Sequence, residues 1–93
     1  MPLDFNARLR VWHQVERRRV RAFTVQLEVL VKDQWKPVVR YDTAHSFAHR
    51  DLYTKDGRQF KTPLGMDFNQ ARTFAQKDIL VNWQEYRRVF FEG

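Results

Sequence analysis

Apolar side chains recur at every second position through most of the first two thirds of the chain, and at every third or fourth position after that. Leu3, Phe5, Ala7, Leu9 and Val11 alternate with Asp4, Asn6, Arg8 and Arg10. That is the period of a strand showing one face to a core. Phe23, Val25, Leu27, Val29 and Val31 repeat the pattern around Thr24, Gln26 and Glu28, with β-branched residues dominant. Lys32, Asp33 and Gln34 predict a turn, and residues 35–42 predict an antiparallel return. Pro37, which has no amide proton, marks a ragged start or an edge there. Residues 47–53 predict a further strand. Asp56-Gly57 is a strong hairpin signal, and residues 59–62 form the short return before Pro63-Leu64-Gly65 breaks the sheet.

Beyond that break the period changes. Phe68, Ala71, Phe74, Ala75, Ile79, Trp83, Tyr86 and Phe90 fall at helical steps, with Asp67 placed to cap the first turn and no internal Gly or Pro. Residues 67–91 therefore predict one long amphipathic helix whose aromatic stripe is core. The expected fold class is α+β: a four- to five-stranded antiparallel meander packed by a C-terminal helix. The expected organisation is a single domain over residues 1–93, strand-rich over 1–62 and helical over 67–91.

Composition narrows the function classes. The 93 residues carry no cysteine, which excludes a disulfide scaffold and a thiol nucleophile. Hydrophobic residues at 43% are too many for a disordered chain of this length. No apolar run reaches a membrane span, and Met1 to Arg10 lack a secretory core, so the expected setting is cytoplasmic. With three glycines there is no phosphate-cradling loop.

The net charge of +6 is unevenly placed. Arg8, Arg10, Arg17, Arg18, Arg19 and Arg21 face only Asp4 and Glu16 within the first 22 residues, whereas the helix is neutral. Arginine suits phosphate through its planar fork and stacks on bases, so these six are candidate nucleic-acid contacts. Trp12 and Trp35 are candidate stacking platforms.

Candidate chemistry is confined to residues 40–51. Asp42, His45, His49 and Asp51 lie within ten positions, flanked by Arg40 and Arg50. Positions 49 and 51 of a strand face the same way, and a tight connection returns Asp42 and His45 to the same end of the sheet. Two imidazoles can serve as general base and acid, with the carboxylates orienting them. Arg40 or Arg50 would steady a charged phosphorane during attack by a ribose 2′-hydroxyl. The same residues also read as an Asx turn at Asp42 beside an exposed polar row at His49 and Asp51. The spacing matches no zinc motif, so neither metal nor cofactor is expected.

Trp35, Arg40-Tyr41-Asp42, His45, Phe47, His49 and Asp56-Gly57 together resemble a group of small bacterial proteins. Their shared pattern is R-[YF]-D-x-x-H-x-[FY]-x-H between a tryptophan-bearing strand and a DG hairpin. More distantly, the pattern is similar to TumE-type toxins of toxin–antitoxin modules. The resemblance implies a small toxin-like protein with a cognate antitoxin protein, and places Arg40, Asp42, His45 and His49 at the matching positions. The sequence departs from TumE at His49-Arg50-Asp51, where a denser histidine cluster would stand.

The expected function is thus that of a basic protein directed at RNA or another nucleic acid, with metal-independent RNA cleavage as its catalytic form. The alternatives are a non-catalytic nucleic-acid binder and a protein-interaction module with a structural His/Asp cluster. No membrane partner is expected.

Overall fold

The computed structural model describes residues 1–43 and 46–93. Six strands run in chain order: β1 (Pro2–Asp4), β2 (Ala7–Glu16), β3 (Arg19–Val31), β4 (Gln34–Asp42), β5 (His49–Tyr53) and β6 (Gln59–Pro63). One helix, α1 (Phe68–Glu92), follows. The strands form one antiparallel sheet in the order β1-β2-β3-β4-β5-β6, an up-and-down meander.

The α+β meander with its C-terminal helix is therefore present, with six strands rather than four or five. The extra strand comes from the first alternating stretch. Asp4 accepts the backbone N–H of Phe5 through Oδ1 at 2.7 Å, and the chain turns there. Residues 2–4 then fold back on Ala7 and Arg8 instead of continuing one long strand.

Pro37 lies where the β3–β4 register shifts, between Leu27↔Val39 and Glu28↔Pro37. The pairing of β5 reaches only as far as Val39, so the missing amide proton of Pro37 costs no ladder bond to β5. The Asp56-Gly57 signal resolves into a three-residue loop, with Thr54 paired to Arg58 and Gly57 at φ 91°. Positive φ at the last loop residue is what glycine supplies without steric cost.

Asp67 caps α1 as its position suggested, accepting from Gln70 N–H at 2.8 Å. The helix lies across β3 and β4. Ala71, Ala75 and Ile79 are fully buried, and the two alanines let the helix axis approach the sheet closely. They meet Phe23, Val25, Leu27, Val29, Val39 and Tyr41 from the covered face. The aromatic stripe is core at Phe90 and partly so at Phe68, Trp83 and Tyr86, whereas Phe74 is exposed. Toward β5 and β6 the helix diverges, leaving an apolar cleft of about 350 Å³ between Leu52, Phe60, Tyr86 and Val89.

The β2–β3 connection is strained. Arg17 and Arg18 adopt φ 51° and 65°, positive at both central positions as a two-residue type I′ turn requires. Arginine gains nothing from that backbone region, which asparagine and glycine occupy at lower cost. Replacing the pair by Arg17→Asn with Arg18→Gly should raise stability by about 1–2 kcal/mol, read as a higher urea midpoint with an unchanged slope. An unchanged midpoint would mean that the tip is relaxed.

Candidate functional site

The helix covers one face of the sheet, and the opposite face carries most of the polar residues singled out above. The registers set them in two rows. Arg10, Gln26, Arg40, Asp51 and Lys61 stand opposite one another from β2 to β6. Two residues along each strand, on the same face, Trp12, Thr24, Asp42 and His49 form a second row.

Asp42, His49 and Asp51 are brought together as their spacing predicts. His49 is fully buried, and its Nε2 lies 2.6 Å from Asp42 Oδ1 and 3.4 Å from Asp51 Oδ2. Its Nδ1 faces the Phe47 carbonyl oxygen at 3.4 Å, and the Phe47 ring packs beside the imidazole. Lys61 Nζ approaches Nε2 to 3.0 Å and Asp51 Oδ1 to 3.6 Å. Asp51 Oδ1 is buried and makes no hydrogen bond, so that ion pair is what offsets its charge.

The nearest ligand atoms of Asp42, His49 and Asp51 lie within 4.8 Å of one another, close enough to hold a metal ion. The Lys61 ammonium lies beside two of these three groups, His49 and Asp51, so a metal there would compete with it. This donor set fits a protein-supplied cation better than a bound one. Lys61 was missed by the sequence reading, although counting equal steps back and forth from Asp56 sets it opposite Asp51.

Burial changes what His49 can do. A side chain this deeply buried touches no substrate, so His49 is a positioning residue whose Nε2 holds Asp42 at 2.6 Å, not a direct proton carrier. The exposed edge of the cluster is Lys61, whose side chain is 42% accessible. His45, expected as the other half of the acid–base pair, lies outside the described residues. Arg50 does not join the cluster. It stands opposite Tyr41 in the register and projects to the helix side, where Tyr41 and Tyr86 are its neighbours, so it cannot hold a phosphate beside His49.

The candidate nucleic-acid residues divide. Arg8 donates from Nε to Glu28 Oε1 at 2.6 Å and lies 4.1 Å above the Trp35 ring centre. Trp35 thus spends one face on Arg8 and is a weaker platform than its sequence suggested. Trp35 also pairs with Leu30 and Trp12 with Thr24, some six residues along β3, which is about 20 Å. The two indoles form no common platform.

Trp12 itself is 55% accessible. Arg10 reaches Glu28 Oε2 only at 3.6 Å and keeps 65% of its side chain exposed. Arg40 donates from Nε to Gln26 Oε1 at 2.5 Å, and Gln26 passes the contact to Glu28 Oε2 at 2.5 Å. Gln26 and Glu28 are nearly buried, although their alternation predicted a solvated face. The arginine stems lying over them explain the difference. Trp12, Arg10, Thr24, Gln26 and Arg40 line a depression of about 230 Å³. Arg17 and Arg18 form the exposed hairpin tip, with Arg19 and Arg21 beside them and also exposed.

On the helix side Asp78 binds the sheet to α1. Its Oδ2 accepts from Tyr41 at 2.6 Å and from Tyr86 at 2.5 Å, and its Oδ1 accepts from Asn82 at 2.8 Å. Burial, reinforced by the Asp78 carboxylate, pushes both phenols above their ordinary range. Burial also raises Tyr53, against the opposing pull of Arg40.

Fold and site together define a small α+β protein whose meander carries a polar, partly basic face opposite its single helix. The chain belongs to the family described as domain of unknown function DUF7718, whose model matches residues 1–93. No curated protein and no solved structure matches it. Among the described residues, no helix is long and apolar enough to cross a membrane.

Proposed function

We propose that the uncovered sheet face binds single-stranded nucleic acid, RNA in the first instance. The observation that carries this reading is the depression in which the exposed Trp12 indole stands beside the guanidinium groups of Arg10 and Arg40. An aromatic face stacks a base, and two cations across the adjoining strands meet the flanking phosphates. The tip arginines Arg17 and Arg18, with Arg19 and Arg21, extend the positive track past the end of β4. The grip depends on β2, β3 and β4 being bare on this side, because a duplex offers no unstacked base for Trp12.

RNA cleavage is the second reading, favoured by the Asp42–His49–Lys61 contacts, which lie two to four strands away from Trp12. A phosphate held by Arg40 would lie near Asp42 on the same strand face, with His49 fixing that carboxylate from beneath. In a toxin–antitoxin setting, the cognate antitoxin would cover this same face.

Both readings are tested with one labelled single-stranded RNA. Fluorescence anisotropy should show binding that weakens with added salt, as phosphate neutralisation requires. Trp12→Ala should cost about 1–3 kcal/mol of binding free energy. Arg10→Ala should weaken binding while making it less salt-sensitive. Absent binding, or an unaltered Trp12→Ala variant, would overturn the proposal. The same RNA incubated in EDTA and run on a gel decides cleavage: shortened products that disappear with Asp42→Asn support it, and intact RNA removes it.

A further inference from the structure

Beyond the nucleic-acid reading, and independent of it, lies the edge of β2. Strand β1 covers β2 only at its start. Leu9 exchanges both backbone bonds with Met1, N–H to O at 2.8 Å and the amino terminus to Leu9 O at 2.7 Å. Leu9 therefore turns its N–H and C=O away from β3, and so do the odd-numbered residues that follow in this ladder. Val11, His13 and Val15 present their backbone groups to an uncovered edge, while the even positions bond to β3. All residues from Arg10 to Glu16 are exposed, including Val11 at 41% and Val15 at 52%. Long edges with apolar side chains are templates for another strand; this one has no proline, and the register shift between Gln14 and Val15 leaves its extra residue, Arg21, on β3.

We infer that the occupant is a second copy of the same chain, joined antiparallel about a twofold axis at His13. The free stretch 10–16 has His13 at its centre, and its sequence is complementary to its own reverse. In that register Arg10 stands opposite Glu16 of the second copy, and Val11 stands opposite Val15 of the second copy. Trp12 meets Gln14 of the second copy. Shifting by one step in either direction sets Arg10 against Gln14 or against Arg18 and separates the valines. Only the His13-centred pairing matches charge to charge and apolar to apolar. The valines lie on the helix side of the sheet, where α1 does not reach them. The contact is isologous, so it closes on a dimer and does not propagate. The two meanders become one continuous sheet, and the polar faces of both copies lie on one side.

The test is the mass of the full chain in solution without nucleic acid, by sedimentation equilibrium. The expected species is twice the 11.4 kDa chain. His13→Pro removes only an outward N–H, so it should yield a monomer with an unchanged circular dichroism spectrum. Glu16→Arg sets arginine against Arg10 at both ends of the contact and should weaken the dimer about tenfold or more. Arg10→Glu should do the same, and mixing the two variants should restore a heterodimer in which every charged pair is opposite. A monomeric wild type, a His13→Pro variant that folds and still dimerises, or a Glu16→Arg variant as tight as wild type would each overturn the inference. Because no RNA is present, these outcomes leave the binding proposal standing or falling on its own test.

Discussion

His49→Leu should destabilise the domain by about 1–3 kcal/mol, the cost of taking a hydrogen-bonding partner from a buried carboxylate. The imidazole is the group between Asp42 Oδ1 at 2.6 Å and Asp51 Oδ2 at 3.4 Å. Leucine fills a similar volume but donates nothing, so a buried carboxylate at Asp51 keeps only Lys61 at 3.6 Å. The double variant His49→Leu with Asp51→Leu should recover part of the loss, because an apolar pair has no charge to compensate. Urea unfolding of the four proteins in this cycle measures the coupling. If His49→Leu costs less than about 1 kcal/mol, the cluster does not hold β4, β5 and β6 together through charge. The positioning role assigned to His49 would then fail too.

That cluster also separates what the sequence made legible from what it hid. Alternation at Phe23–Val31 and helical spacing after Asp67 gave the element types, because each pattern has one dominant period. Same-face projection of His49 and Asp51 followed from strand periodicity alone. The side on which Arg50 lies follows from the same rule, since its position between His49 and Asp51 sends it to the helix. The burial of His49 was not legible. It depends on Phe47 and Lys61 closing over the ring, contacts set by the β4–β5 connection and by the β5–β6 register. Gln26 and Glu28 were hidden for a related reason. Their alternation marks a polar face, but the long arginines that shield them come from β2 and β4 and must be placed before the shielding is visible.

The proposed nucleic-acid contacts and the helix-packed core lie on opposite faces of the sheet, which allows them to be probed separately. Trp12, Arg10 and Arg40 can be replaced without touching the Ala71, Ala75 and Ile79 contacts. The tyrosines on the helix side report on the fold itself. Their response to alkali is the second large effect.

Above pH 10 the domain should lose stability as pH rises, Tyr41 alone contributing a slope that approaches about 1.4 kcal/mol per pH unit, with Tyr86 and Tyr53 adding in the same direction. An unfolded tyrosine releases its proton near pH 10, whereas both of these phenols are held above that value when folded. Burial is the larger cause, and the shared Asp78 carboxylate adds to it by accepting from both hydroxyls. The native state therefore keeps protons that the unfolded state gives up. The stabilisation is complete below the unfolded value and is lost progressively as pH rises from there through the folded value. Tyr53 is shifted in the same direction, so all three tyrosines of the chain resist ionisation. Ultraviolet absorbance of the folded protein should show no phenolate signal near pH 10, then a single rise that coincides with loss of the circular dichroism signal. Tyr41→Phe should make the alkaline loss shallower, by up to about 1.4 kcal/mol per pH unit, because one retained proton is gone. Phenolate absorbance from two or more tyrosines in a still-folded protein near pH 10 would contradict this account of how Asp78 joins α1 to the sheet.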